Sequence, residues 1–351
     1  MLNQSLYHTY RRYRTLQTDR ITALPIAILM PHSACNCRCV MCDIWKDNKN
    51  LKQLSEDDVR ALLTSFKNLE TKQVVMSGGE ALLNPNFFRF CEILRKENIR
   101  ITLLSTGLTL KNNVQQLIKW VDEIIVSLDG NEEIHNRIRN IPDAFRKLKE
   151  GVQAIKSAKP GFRITGRSVI HRLNFSVWPQ IIDSAKEIGL DQISFLPADV
   201  SSHAFNREIL WSTEKQHEIM PEINELQKLE TIIDSILINY KKEFEHGYIA
   251  ESQKKIQMIC DYYAAFYGLN PFPYKKCNAP WVSAVIEADG TVRPCFFHSS
   301  SGNIHNNSFD KILNSDDAIH FRKNLDTDTN EICKKCVCYL NLPPRMNPAV
   351  N

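Results

Sequence analysis

Between residues 21 and 200, short apolar runs alternate with longer stretches whose apolar residues recur at helical spacing. The runs at 26–30, 73–76, 101–104, 123–128, 162–170 and 192–196 read as strands. Turn residues stop them: Ser77-Gly78-Gly79, Ser105-Thr106-Gly107, Asp129-Gly130 and, after the last run, Pro197. Short runs of this kind fit strands buried on both faces of a parallel sheet. Helical patterns lie between them. One opens at Ser55, with Glu56, Asp57 and Asp58 in the first turn, where the positive helix end favours acids. Another opens at Asn84-Pro85, with Pro85 near the first helical position. Others fall near 114–120, 144–157 and 178–188. The alternation predicts an α/β fold, a partial (β/α)6 TIM-type barrel with right-handed crossovers. Functional groups are then expected at the carboxyl ends of the strands.

The pattern changes after residue 200. Residues 214–246 are charged and lack glycine, which predicts one or two helices, and 252–266 reads as a further helix. From about 270 the chain turns loop-rich. The expected organisation is a lead-in over 1–20, the barrel over 21–200, a helical connecting segment over 201–270 and a small cysteine-rich domain over 271–351. No convergent polar set stands out in 201–270.

Composition narrows the function classes. The formal charge of +4, from 44 basic and 40 acidic residues among 351, is too balanced to make nucleic acid the main partner. Arg11, Arg12, Arg14 and Arg20 face one acid, Asp19, in the first twenty residues. They read as the solvated side of a partly helical lead-in, with contact to an acidic partner as the alternative. No apolar run approaches the ~20 residues of a membrane span, and the start lacks a signal-peptide pattern, so a cytoplasmic location is expected. The cysteines number 11, an odd count that argues against a disulfide framework. They gather in two clusters far apart in sequence, as metal-binding thiols do.

The first cluster reads Pro31-His32-Ser33-Ala34-Cys35-Asn36-Cys37-Arg38-Cys39-Val40-Met41-Cys42. Cys35, Cys39 and Cys42 suit three irons of a four-iron cube and leave the fourth iron open for chemistry. Zinc is the alternative, but it wants four closed ligands, and Cys37 is too tightly spaced to complete a tetrahedral set. Cys37 reads as a small apolar loop residue. In the second cluster, apolar runs flank Asp289-Gly290 and predict a β-hairpin that brings Cys277 and Cys295 together. Cys333 and Cys336 add a CxxC pair, with Cys338 two residues beyond. Spacing alone leaves a closed iron–sulfur cube and zinc both open here. Cys91 and Cys260 read as packing residues.

The CxxxCxxC loop after a first strand resembles the hallmark of the radical S-adenosylmethionine (SAM) superfamily, and the resemblance covers roughly residues 21–200. It implies a [4Fe-4S] cluster on Cys35, Cys39 and Cys42. There SAM is cleaved reductively to a 5′-deoxyadenosyl radical that abstracts hydrogen from a substrate. Met41 stands where the family commonly has an aromatic residue and is soft enough to pack on adenine. Gly78-Gly79-Glu80 resembles the family's GGE motif, which contacts the SAM amino group. By the same resemblance Ser105, Ser127 and Arg139 contact SAM, with Arg139 paired to its carboxylate. Arg167, Ser168 and Asn174 are weaker candidates, as are Ile193 and Phe195 for the adenine pocket. His135 reads as structural.

The tail resembles a shortened SPASM, or twitch, domain, which implies an auxiliary [4Fe-4S] cluster on Cys277, Cys295, Cys333 and Cys336, with Cys338 as an alternative to Cys336. The expected activity is oxidation, dehydration or rearrangement of a small molecule, with a flavodoxin or ferredoxin as electron donor. The alternative is peptide modification. Only about twenty-five residues precede the first strand, too few for the recognition domain that peptide-modifying relatives often carry. A non-catalytic iron–sulfur or zinc sensor or scaffold is the reading from a different class.

Overall fold

The computed structural model describes residues 2–345; Met1 and residues 346–351, at the ends of the expected lead-in and cysteine-rich spans, lie outside them. Among the described residues nine strands form one sheet in the order β6-β5-β4-β3-β2-β1-β7-β8-β9, the last of them Gly302–Asn303. The predicted strands are all present: β1 (Ile26–Leu29), β2 (Gln73–Met76), β3 (Arg100–Ser105), β4 (Glu123–Ser127), β5 (Arg163–Ile170) and β6 (Gln192–Pro197). Neighbours along this run pair in parallel. Helices connect them, as parallel pairing demands: α2 (Glu56–Asn68), α3 (Phe87–Lys96), α4 (Val114–Trp120), α5 (Glu132–Arg139), α6 (Ala144–Ala158) and α7 (Trp178–Ile188), with α1 (Leu2–Thr18) ahead of the sheet. This is the α/β partial barrel expected from the pattern.

Two helix starts show how local chemistry sets the ends. Ser55 caps α2, accepting from Asp58 N, while the Asp58 carboxylate accepts from Ser55 N, a reciprocal capping box. The next helix starts later than predicted, at Phe87 rather than at Pro85. Asn84 is engaged elsewhere: its amide donates to the carbonyls of Pro31 (2.7 Å) and Leu54 (3.0 Å), and its own oxygen accepts from Asn86 N. That buried amide ties the loop after β1 to the loop after β2.

The outer face of the sheet is apolar and packs on the helices; Phe195 of β6, for example, lies 5.2 Å from the Trp178 ring. Ile193 is fully buried in the same core. Both pack in the core, and Phe195 also lines a cavity beside β6. The inner face is not the apolar surface that the strand runs suggest. Gln73 donates to Thr102, Thr102 donates to Glu123, and Arg163 reaches both Glu123 and Gln192, a polar ladder across β2 to β6.

The C-terminal hairpin is present, with β7 (Ser283–Ile286) and β8 (Thr291–Arg293) antiparallel. It also does something that local pattern did not predict: β7 pairs in parallel with β1, residue for residue from Ile26↔Ser283 to Leu29↔Ile286. The cysteine-rich region is thus an extension of the barrel sheet. The lead-in docks as well. Arg12 is buried and donates to Leu342 O and Pro343 O, while Arg11 and His8 pair with Glu70. Among these arginines, two act as internal ties rather than as a solvated face.

Residues 201–270 break into α8 (Thr213–Ile219), α9 (Leu226–Asn239), α10 (Lys241–Glu245) and α11 (Gln253–Phe266). Backbone near α10 and α11 covers the free edge of β6: Ile193 N donates to Tyr248 O, and Ala250 N donates to Ile193 O. Such cover suppresses edge-to-edge association. Among the described residues no helix is long and apolar enough to cross a membrane.

The paired glycines after β2 matter most for the site. A Cβ on Gly79 would lie 2.1 Å from Ala34 O, whereas one on Gly161 would meet nothing within 4 Å. Gly79→Ala is therefore expected to destabilise the protein by about 1–3 kcal/mol or more, since backbone cannot yield as a flexible side chain does. Gly161→Ala stays within about 0.5 kcal/mol. Urea unfolding of the two variants beside the parent checks the pair, and equal midpoints contradict it.

Candidate active site

The loop bearing Cys35, Cys39 and Cys42 leaves the carboxyl end of β1. Its start is held from both sides: Ser77 N donates to Leu29 O, and Met30 N donates to Ile286 O of β7. Asn48 grips Cys35 through both backbone groups, at 3.1 and 2.9 Å. The far end hangs from α5, with Arg38 N on Arg139 O (3.0 Å) and Val40 N on Ile138 O (3.2 Å). All the cysteines are free. Cys39 is buried, and its thiol is lowered to about 7 by a hydrogen bond from Cys37 and by the charge of Arg139, against the effect of burial. Cys37 is raised by its hydrogen bonds to Cys35 and Cys39 and by burial, so it is a thiol donor between two acceptors. Burial, with the nearby Cys39 and Cys35, pushes Cys42 up to about 12.

Gly78, Gly79 and Glu80 pack against this loop. Gly78 has φ +113°, a conformation open to glycine and rarely to others, and Glu80 N donates to Ala34 O at 2.9 Å. The glycines thus let the cysteine loop itself approach. The Glu80 carboxylate is fully buried and accepts from Ser105 Oγ, Thr106 N and Thr106 Oγ1 at 2.7 to 3.1 Å. Burial raises its pKa while these donors oppose the rise. Ser105 therefore faces Glu80, and Thr106 also reaches Asn36 in the cysteine loop at 3.0 Å.

Ser127 ends β4 half-buried and stands directly opposite Arg167 of β5. Arg139 lies at the end of α5. It donates to Asp129 Oδ2 at 2.6 Å and toward Cys39 Sγ at 3.4 Å, so it couples the turn after β4 to the first thiol set. Asp129 is completely buried; burial raises its carboxyl and Arg139 counteracts this. His135 accepts from Asp129 N, and Asn174 donates to Asp129 O. These two residues shape the turn, and Ser168 lies buried beside them on β5.

The segment 199–211 supplies a polar set that the sequence did not reveal. Asp199 and Arg207 form a buried ion pair, and Arg207 Nη2 also donates to Asp199 O (2.7 Å) and Met41 O (3.3 Å). The guanidinium sits 3.9 Å from the Trp211 ring centre, and Trp211 Nε1 donates to Asp43 at 2.8 Å. The segment thereby clamps the cysteine loop on both sides of Cys42. Nothing local marks these residues: they lie in an irregular stretch, and their partners in the cysteine loop are more than 150 residues away.

The C-terminal thiols surround a cavity of about 140 Å3 lined by Cys277, Cys295, Cys333, Cys336 and Cys338. Asn330 caps the CxxC turn by accepting from Ile332 N and Cys333 N, and Lys275 Nζ donates to the carbonyls of Lys334 and Cys336. Burial pushes Cys333 up to about 12 and raises Cys295 and Cys336 as well. His298, buried in the same wall, lies 3.4 Å from Cys333 Sγ and is a further residue missed by pattern. Cys91 and Cys260 stand apart, in or against the apolar core.

The donor chemistry at both places is thiol-only apart from His298. Among the described residues no three His, Cys, Asp or Glu side chains converge on a single ion. A mononuclear zinc knot needs sulfurs about 2.3 Å from one point; a multi-iron cube spreads its thiolates over separate irons. Clustered thiolates are the donor set that iron–sulfur cubes use.

A thiol loop at the carboxyl end of a parallel partial barrel, with a second thiol cavity on the same sheet, defines an iron–sulfur α/β protein. Residues 29–185 match the radical SAM superfamily model, and residues 277–337 match the SPASM iron–sulfur cluster-binding domain. The chain belongs to the radical SAM superfamily and carries a C-terminal SPASM domain. These domains bring a [4Fe-4S] cluster with SAM and an auxiliary iron–sulfur cluster. The chain is similar to an AdoMet-dependent heme synthase of Methanosarcina barkeri, 24% identical over 161 residues, spanning 45% of this chain and 46% of that protein. It is also similar to a probable GTP 3',8-cyclase of Saccharolobus islandicus, 24% identical over 290 residues, spanning 79% of this chain and 83% of that one. Its fold resembles Streptococcus suis SuiB bound to S-adenosylmethionine, with a TM-score of 0.63 at 13% identity, covering 96% of this chain and 79% of SuiB.

Removing one member of a buried ion pair strands the other. Arg207→Met is expected to cost about 3–5 kcal/mol and to loosen the loop on either side of Cys42. Trp211→Phe, which loses one hydrogen bond, costs about 1 kcal/mol. Urea unfolding reads both values, and an Arg207→Met protein as stable as the parent contradicts the clamp.

Proposed function

We propose that this chain is a SAM-cleaving enzyme acting on a small molecule, with Cys35, Cys39 and Cys42 holding the catalytic cluster. Cys277, Cys295, Cys333 and Cys336 hold the auxiliary one. When bound, the reduced cluster supplies the electron that splits the SAM sulfonium, and the resulting radical takes hydrogen from the substrate. The chain's own residues position these partners. Asp129 fixes Arg139 beside Cys39. Glu80, Ser105, Ser127 and Arg139 would contact SAM when it binds, with Gly78 and Gly79 shaping the turn and Met41 available to the adenine. The SPASM match ends at residue 337, before Cys338, which supports Cys336 as the fourth auxiliary ligand.

The observation that carries the small-molecule reading is a half-open cavity of about 260 Å3 between β6, α11 and residues 336–339. It lies just below the ~300–1,000 Å3 usual for small-molecule sites. The relatives named for heme synthesis and GTP cyclisation support the same reading. With the auxiliary thiols adjoining this cavity, an oxidative outcome follows naturally, with electrons supplied and removed by a small carrier such as a flavodoxin or ferredoxin. The division into a lead-in, a barrel over 21–200, helices over 201–270 and a cluster domain from 271 belongs to the same proposal.

Anaerobic reconstitution is expected to give about eight irons per chain, from two four-iron cubes, and 5′-deoxyadenosine on reduction with SAM. Alanine at Cys35, Cys39 and Cys42 removes about half of the iron and all SAM cleavage. Alanine at Cys277, Cys295, Cys333 and Cys336 removes the other half. A fully loaded protein that never cleaves SAM overturns the proposal.

A further inference from the structure

Arg167 occupies an unusual place. On β5 it alternates with the buried Ser168, so its side chain projects from the inner face of the barrel sheet rather than toward the helices. Its Nε reaches Ser194 Oγ at 3.4 Å, and among the described residues its terminal guanidinium nitrogens have no hydrogen bond or ion pair. It lines both the 260 Å3 cavity and the 140 Å3 cavity of C-terminal thiols, which share Cys336, Cys338 and Tyr339 as well. The open fork therefore stands where the two cavities meet.

The surrounding charges point the same way. The larger cavity is lined by Arg167, Lys255 and Lys275 against a single carboxylate, Glu251. That carboxylate accepts from Phe195 N at 2.9 Å; burial raises its pKa, and the charge of Arg167 opposes the rise without a direct ion pair among the described residues. Lys275 is already committed to the carbonyls of Lys334 and Cys336, and Lys255 lies over the Tyr339 ring at 5.3 Å. Only Arg167 presents paired donors without partners, and a planar fork matches a carboxylate or a phosphate with two parallel hydrogen bonds.

We infer that Arg167 binds an oxyanion of the substrate, carboxylate or phosphate, so that the substrate is an anionic small molecule held between the barrel's inner face and the auxiliary cysteine loop. The inference rests on the small-molecule reading of the same cavity. It adds that one end of the substrate is fixed beside Cys336 and Cys338. Because Ser127 stands opposite Arg167 in the sheet register, the rest of the molecule extends toward the SAM side of the barrel.

Isothermal titration of the fully reconstituted, SAM-loaded protein tests this. The probes are glycerol 3-phosphate, inorganic phosphate and succinate, with glycerol and succinamide as neutral counterparts. Binding of the phosphates or of succinate about tenfold or more tighter than the neutral compounds supports the inference, and the tighter class identifies the oxyanion. Arg167→Gln is expected to weaken that binding about tenfold or more, with Arg167→Lys recovering part of it. Iron content and the visible spectrum confirm that both variants hold their clusters. Equal binding of neutral and anionic probes, or undiminished binding by cluster-replete Arg167→Gln, overturns the inference. SAM cleavage stimulated by a neutral small molecule keeps the proposed function while removing the anion, so the two failures are distinguishable.

Discussion

Gly79 lies against the Ala34 carbonyl so closely that no side chain fits between them, and the hydrogen bond from Glu80 N to the same oxygen fixes the approach. This contact joins the turn after β2 to the loop after β1, and the rest of the carboxyl face is built outward from it. Glu80, once placed, gathers Ser105 and Thr106 at the end of β3, and Thr106 returns to Asn36 in the cysteine loop. Three strand ends are thereby locked to one thiol-bearing loop. A buried carboxylate without donors would be costly; here the donors come from the elements that must be held together.

Two buried ion pairs complete the frame from opposite sides. Asp129–Arg139 ties the turn after β4 to Cys39, and Asp199–Arg207 ties the segment after β6 to Met41. Buried pairs add little net stability because desolvation offsets attraction. Their contribution here is geometric: each guanidinium is held by a carboxylate while its remaining donors reach the cysteine loop. The auxiliary thiols join the same frame through β7, whose parallel pairing with β1 puts both thiol sets on one sheet.

What was legible in the sequence was local. The strand runs end at turn residues, and the structure follows them, as at Gln73–Met76, because both the burial pattern and the stop signal lie within a few residues. The cap at Ser55 is a four-residue pattern and formed as such. Long-range partnerships were not legible. Nothing in residues 283–286 announces β1 as a neighbour more than 250 residues away. Arg12 reads as a surface charge, and nothing singles out Arg207, until their carbonyl partners, Leu342, Pro343 and Met41, are brought to them by the fold. The paired glycines permit close approach, and the body that approaches is the chain's own loop. The inner polar ladder from Gln73 to Gln192 was hidden because Gln73, Glu123, Arg163 and Gln192 each stand singly at the start of a strand, where a polar residue reads as the end of a loop.

The central claim is that two thiol sets on one sheet hold two cubes of different character, only one of them open to SAM. Mössbauer spectroscopy of protein reconstituted with 57Fe tests this most directly. The account predicts two four-iron components, with SAM shifting the signal of one iron in one cube and leaving the other cube unchanged. A spectrum indifferent to SAM, or one in which both cubes respond alike, would contradict it.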